Sequence, residues 1–153
     1  MNRAIFITVR SGSTRLPNKS QKEILGSPTI EHLIKRVKRS KLADIIILCT
    51  STNEEDLKLC KIAERNDILC FRGDLKDKVL RWYEAALHYN VEYFVNVDGD
   101  DLFCEPELID MAFSQYEEEK HDFIKVNESE IICGAFTMGA TTESLRKVCE
   151  MKD

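Results

Sequence analysis

The sequence predicts an α/β fold: a mostly parallel β-sheet with helices on both faces, three layers in all. Three observations carry this. Short apolar runs alternate with amphipathic stretches of helical period along the whole chain. The runs are nearly continuous in apolarity and rich in β-branched residues, as strands covered on both faces are. Proline and capping residues stand where one pattern gives way to the other.

The elements follow in order. Ala4-Ile5-Phe6-Ile7-Thr8-Val9 reads as a buried strand. A loop from Arg10 to Ser20 follows, with Ser, Gly, Thr, Pro and Asn. Pro28 opens a helix, and Ile30, Leu33, Ile34 and Val37 keep the i, i+3, i+4, i+7 spacing of one buried face. Ile45 to Cys49 is a second strand. Thr52 and Glu55 stand three apart, as in a capping box, and predict a helix from there to about Arg65. Ile68 to Phe71 is a third, shorter strand. Asp74 to Asp77 begin a helix whose inner face is expected to carry Val79, Leu80, Tyr83, Ala86 and Leu87. Tyr93 to Val97 is a fourth strand. Glu105 or Pro106 opens a helix with Leu108, Ile109, Ala112, Phe113 and Tyr116 on one side. Phe123 to Val126 and Cys133 to Met138 read as two more strands. Thr141 or Thr142 caps a last helix running through Cys149.

Composition narrows the function classes. The chain has 153 residues, 43% hydrophobic and 32% charged, which suits one globular domain. No apolar stretch approaches the ~18 residues of a membrane span. Ala4 to Val9 is too short for a signal-peptide core. The expectation is a cytoplasmic protein without a membrane partner. The cysteines, Cys49, Cys60, Cys70, Cys104, Cys133 and Cys149, form no C-x-x-C pair and predict reduced, mostly buried thiols. A net charge of −5 disfavours a nucleic-acid partner.

The charge is unevenly placed. Residues 1–22 carry Arg3, Arg10, Arg15, Lys19 and Lys22 and no acid, whereas residues 98–119 carry nine acids and no base. Both segments include a loop at the carboxyl end of a predicted strand, where open α/β sheets bind ligands. The first loop, Arg10-Ser-Gly-Ser-Thr-Arg15-Leu-Pro-Asn-Lys19, has one glycine, so it is neither a dinucleotide fingerprint nor a Walker A loop. Its cations suit an anion with more than one phosphate: Arg10 and Arg15 as bidentate donors, Lys19 as a point charge, with backbone N–H groups near Gly12 as a cradle. The second, Asp98-Gly99-Asp100-Asp101, crowds carboxylates whose repulsion a cation relieves. Such oxygen-rich sites suit Mg²⁺ or Mn²⁺ shared with substrate phosphates. A metal–phosphate site of this kind points to phosphoryl or nucleotidyl transfer.

At these residues the chain resembles the cytidylyltransferases that activate acidic sugars, nearest to the spore coat polysaccharide biosynthesis protein F type. The first loop resembles the family signature R-x-G-S-x-R-L-P-x-K. Leu25-Gly-Ser-Pro-Thr-Ile30 resembles its G-x-P-x-I helix start. Arg72-Gly-Asp-Leu-Lys-Asp77-Lys-Val-Leu-Arg81 resembles G-x-x-x-D-V-L-x-R with one residue inserted, and Asp98-Gly99-Asp100 resembles a strand-end G-D-x-P. Asn18 stands where the family usually has Gly, and Leu102-Phe103 where it usually has Pro.

The resemblance implies a nucleotide-diphospho-sugar transferase, Rossmann-like fold and transfer of CMP from CTP to an acidic sugar, with release of pyrophosphate, in cell-surface polysaccharide biosynthesis. It implies backbone groups of Thr8, Val9, Arg10 and Ser11 reading the base, Arg10, Arg15 and Lys19 near the phosphates, and Gly12 and Ser13 in the same nucleotide-binding loop. Asp100, with Asp98, would hold Mg²⁺ or Mn²⁺, and Arg15, Lys19 and Asp100 would be catalytic. Asp77 and Arg81 match a nucleotide-binding segment, with a helix cap and a structural salt bridge as the competing explanations. It covers residues 1–153 as one nucleotidyltransferase-like domain, about the N-terminal two-thirds of the family's domain. A homodimer stays open. So do a glycosyltransferase using Asp98-Gly99-Asp100 as a D-x-D motif and a non-catalytic nucleotide-binding module.

Overall fold

The computed structural model describes residues 2–12, 16–127 and 129–152. One six-stranded sheet organises them. Its strands are β1 (Arg3–Thr8), β4 (Ile45–Ser51), β5 (Leu69–Gly73), β6 (Tyr93–Asp98), β7 (Phe123–Ile124) and β8 (Met138–Thr141). A small hairpin, β2 (Glu23–Ile24) and β3 (Ser27–Pro28), stands apart. The helices are α1 (Thr29–Val37), α2 (Leu57–Arg65), α3 (Lys78–His88), α4 (Pro106–Glu119) and α5 (Thr142–Glu150).

The sheet order is β5-β4-β1-β6-β8-β7. The first four strands are parallel, and β8 runs antiparallel to both β6 and β7. Alternate residues of β1 feed the two faces. Ile5 and Ile7 pack with α1, α2 and α4; Ala4 and Phe6 pack with α3 and α5. All four are fully buried, as a doubly covered strand requires. The expected three layers are present.

Several details differ from the sequence expectation. No capping box forms at Thr52. Its N–H extends the sheet to the Gly73 carbonyl at 3.0 Å. A 3₁₀ turn over Glu54–Asp56 intervenes, and α2 starts only at Leu57. The inner face of α3 is rotated: Arg81, Trp82, Ala85 and Ala86 are buried, and Leu87 is exposed. The Trp82 indole bonds β1, which turns the helix toward that residue. At the C-terminal end the expected strands shrink to β7 and β8. Residues 133–137 form a loop because Gly134, at φ +82°, turns the chain back. No disulfide joins the six cysteines, and only Cys49 and Cys104 among them are buried. No helix among the described residues is long and apolar enough to cross a membrane.

Candidate functional site

Strands β1 and β6 lie side by side at the centre of the sheet, with Thr8 opposite Asp98. The chain leaves β1 toward β4 and β5, whereas β6 leads to β8 and β7 on the other side. This is the topological switch point, where loops part and leave a crevice. The two loops meet there closely. The Gly99 N–H donates to the Thr8 carbonyl at 2.8 Å. A Cβ on Gly99 would lie 2.6 Å from the Val9 Cβ, so the crossing admits only glycine.

The basic loop is anchored from below. Asp56, buried beside α2, accepts the Ser11 N–H at 2.7 Å and the Ser51 N–H at 3.2 Å. It also accepts the Ser51 hydroxyl. Burial pushes this carboxyl up, but the hydrogen bonds from Ser51 and Ser11 outweigh it and hold the group below the usual aspartate range. Gln21 Nε2 donates to Ser11 Oγ at 3.0 Å, and the Asn18 N–H to the Ser11 carbonyl at 3.4 Å. The loop is thus pinned at both ends. Arg10 Nη1 reaches the Leu75 carbonyl at 3.3 Å, on the far wall of the crevice.

The acidic loop is partly neutralised by lysines. Lys19 Nζ pairs with Asp100 Oδ2 and thereby ties the two loops together. Lys78 Nζ, on the first turn of α3, donates to Asp98 Oδ1 at 2.7 Å. Asn96 Nδ2 donates to the same oxygen at 3.2 Å. Behind it the Thr8 hydroxyl donates to Asn96 Oδ1 at 2.6 Å, and Trp82 Nε1–H to Thr8 Oγ1 at 2.8 Å. Asp101 turns inward and accepts the Asp98 N–H and the Thr137 hydroxyl, both at 3.2 Å. Burial, then the charge of Asp98, raises its carboxyl above the usual range.

The structure brings most of the sequence-predicted residues to this crevice. Thr8, Val9, Arg10, Ser11, Lys19, Asp98 and Asp100 surround it; Ser13 and Arg15 lie outside the described residues. The Val9 and Ser11 amides are occupied by protein acceptors, Cys49 and Asp56. Asp77 caps α3 through the Val79 and Leu80 N–H groups at 3.0 Å each. Lys152 also holds it, at 2.7 and 2.8 Å. Arg81 is buried, donates to the Asp74 carbonyl at 2.7 Å, and is pulled below its usual value by burial and by Arg10.

Sequence reasoning missed Asp56, Lys78, Asn96 and Trp82. Asp56 directly follows an apparent capping box, and Lys78 is the residue inserted in the third motif, a signal that was available. Among the described residues no three His, Cys, Asp or Glu converge on a metal position. Asp98 and Asp100 flank Gly99 and are held by different lysines, Lys78 and Lys19. Two carboxylates match in number and chemistry what a cation such as Mg²⁺ would take from protein, with phosphate and water completing its shell. A cavity of about 560 Å³ opens beside Asp98 and Asp101, lined also by Phe136, Thr137 and Lys125, the one cation among its described lining residues.

Known proteins match this architecture. A family model described as cytidylyltransferase matches residues 4–150. An uncharacterized protein of Methanocaldococcus jannaschii, MJ1063, is 32% identical over 142 residues, 93% of this chain and 58% of that protein. The 3-deoxy-manno-octulosonate cytidylyltransferase of Brucella ovis is 32% identical over 126 residues, 80% of this chain and 49% of the enzyme. A cytidylyltransferase structure from Leptospira borgpetersenii superposes with a TM-score of 0.91 at 26% identity, covering 99% of this chain and 65% of that one. The chain therefore spans about half to two-thirds of the length of these relatives.

Proposed function

Since the chain belongs to the cytidylyltransferase family, we propose that it forms the nucleotide-binding part of an enzyme that transfers CMP from CTP to an acidic sugar. The observation that carries this reading is the Lys19–Asp100 pair at the switch point. It brings a phosphate-binding cation and a cation-binding carboxylate into one crevice, as phosphoryl-type transfer requires.

Arg10 and Lys19 bind the triphosphate, Arg10 by its fork and Lys19 by point charge. Ser11 and Gly12 shape the loop, which Asp56 holds in place. Asp98 and Asp100 are the residues that would hold Mg²⁺, and the ion when bound neutralises charge on the phosphates. The acceptor hydroxyl oxygen attacks the α-phosphorus. A new O–P bond forms, the α–β bridging P–O bond breaks, and pyrophosphate carries that electron pair away; the hydroxyl proton passes to solvent. The cavity beside Asp98 holds the acceptor, with Lys125 complementary to a sugar carboxylate. Cytosine preference, the acidic acceptor and a cell-surface polysaccharide pathway follow the family resemblance.

Thermal unfolding with CTP, GTP, ATP and UTP, each with and without Mg²⁺, tests the reading. A nucleotide at ~100 times its Kd adds about 2.7 kcal/mol, or roughly 5–10 °C here. The expected result is a shift with CTP and Mg²⁺, with pyrophosphate release once an acidic sugar is supplied. Asp100→Asn is expected to remove Mg²⁺-dependent release while leaving the melting temperature nearly unchanged. No shift with any nucleotide would refute the proposal.

A further inference from the structure

Lys78 and Trp82 stand one helical turn apart on α3, so their side chains share a face. Together they close a ring of contacts around the ends of β1 and β6. Lys78 Nζ lies 4.7 Å above the Trp82 ring and 2.7 Å from Asp98 Oδ1. Asp98 is joined to Asn96, Asn96 to Thr8, and Thr8 back to Trp82.

The ring has a fixed part and an exchangeable part. Trp82 and Asn96 are buried, and their hydrogen bonds with Thr8 hold Asp98 through Asn96 Nδ2. None of these bonds involves Lys78. The lysine side chain is 41% exposed on a flexible stem, while its backbone is fixed at the start of a capped helix. Exposed ion pairs of this kind contribute little and exchange readily with solvent ions. An ammonium is a compact, hydrated point charge that can move from carboxylate to phosphate. Lys19 stands in the same relation to Asp100 across the crevice.

We propose that Lys78 occupies Asp98 in the nucleotide-free protein in place of a divalent cation. It yields that carboxylate when nucleotide phosphates arrive and draw the ammonium toward themselves. Cation and nucleotide then favour each other's binding, and the bare cation has to compete with the ammonium for Asp98. This deepens the reading above and rests on its assignment of Asp98 and Asp100 as cation ligands. Lys78 is a positioning residue: it governs when Asp98 is available.

The test uses Mn²⁺ alone, titrated into the nucleotide-free full chain and followed by the electron paramagnetic resonance of free Mn²⁺. Lys78→Met is expected to bind Mn²⁺ roughly fivefold more tightly than the wild type, the scale of one exposed ion pair. Lys78→Arg keeps the charge and is expected to bind no more tightly than the wild type. A structural role for Lys78 would not separate the two variants in this way. Lys78→Gln, also neutral, replaces Lys78→Met should that protein fail to show a cooperative melt. Coinciding titrations of wild type and neutral variant would overturn the proposal, as would an absence of Mn²⁺ uptake by every protein. Failure of the functional reading shows separately, as a wild type whose melt does not move on adding CTP with Mg²⁺.

Discussion

Asp56 is the residue on which the basic loop rests, and its replacement gives the sharpest prediction. Asp56→Asn keeps the shape but removes the charge. One face of the carboxylate accepts the Ser11 N–H at 2.7 Å; the other accepts the Ser51 N–H and hydroxyl. An amide presents one oxygen and one NH₂, so one face must set donor against donor. A hydrogen bond to a charged group contributes about 1.5–3 kcal/mol, and a buried unsatisfied donor costs a similar amount. The expected loss is ~3 kcal/mol, or roughly 6–12 °C in melting temperature for a chain of this length. The pH dependence has a definite sign. The folded-state value of Asp56 lies below its unfolded value, so its stabilisation is present above the unfolded value. That stabilisation is lost as pH falls through the folded value. Melts of wild type and variant from pH 7 down to the acid limit of folding check this: the gap should narrow on acidification. A variant melting within ~2 °C of the wild type at pH 7, or a gap constant with pH, would refute the argument.

Other substitutions probe the frame around the site. Gly99→Ala drives a Cβ into Val9 and is expected to cost about 2 kcal/mol. Adding Val9→Ala should return part of that loss, which a double-mutant cycle of melts will show. Asp77→Ala removes the cap of α3 for about 1 kcal/mol. A drop of roughly 2–4 °C is expected, with the CTP-induced shift of the remaining fold preserved. Tyr93 buries a hydroxyl with no partner among the described residues, packed against Gly139. Tyr93→Phe is therefore expected to raise the melting temperature by about 2–4 °C, the equivalent of ~1 kcal/mol.

The parts legible in the sequence were those that local physics decides. Ala4 to Thr8 reads as a doubly covered strand because every residue in it must be apolar or bonded. Thr141 reads as a cap because its hydroxyl needs only the Ser144 N–H, three residues away. The basic and acidic loops were legible as a pair because parallel strands place their carboxyl ends on one edge. What sequence did not show depends on contacts between distant elements. The Thr52 capping pattern lost to a sheet bond with Gly73, and the face of α3 was set by the Trp82–Thr8 bond, 74 residues apart in sequence. The shift of the late strands follows from antiparallel β8, which needs a chain reversal that no crossover helix supplies.

Two of the missed residues, Lys78 and Asn96, share one physical role, which concerns repulsion within the acidic loop. Asp98, Asp100 and Asp101 stand within four positions and repel one another. Tight cross-loop packing at Gly99 prevents them from spreading apart by moving the backbone. The relief comes from elsewhere: Lys19 and Lys78 supply positive charge, Asn96 and Thr137 supply donors, and burial biases Asp101 toward its neutral form. Both lysines face the crevice in which the proposed function puts a triphosphate. On the function proposed above, the charges that relieve this repulsion are also those a triphosphate would recruit, so the carboxylates and the phosphates compete for the same two lysines.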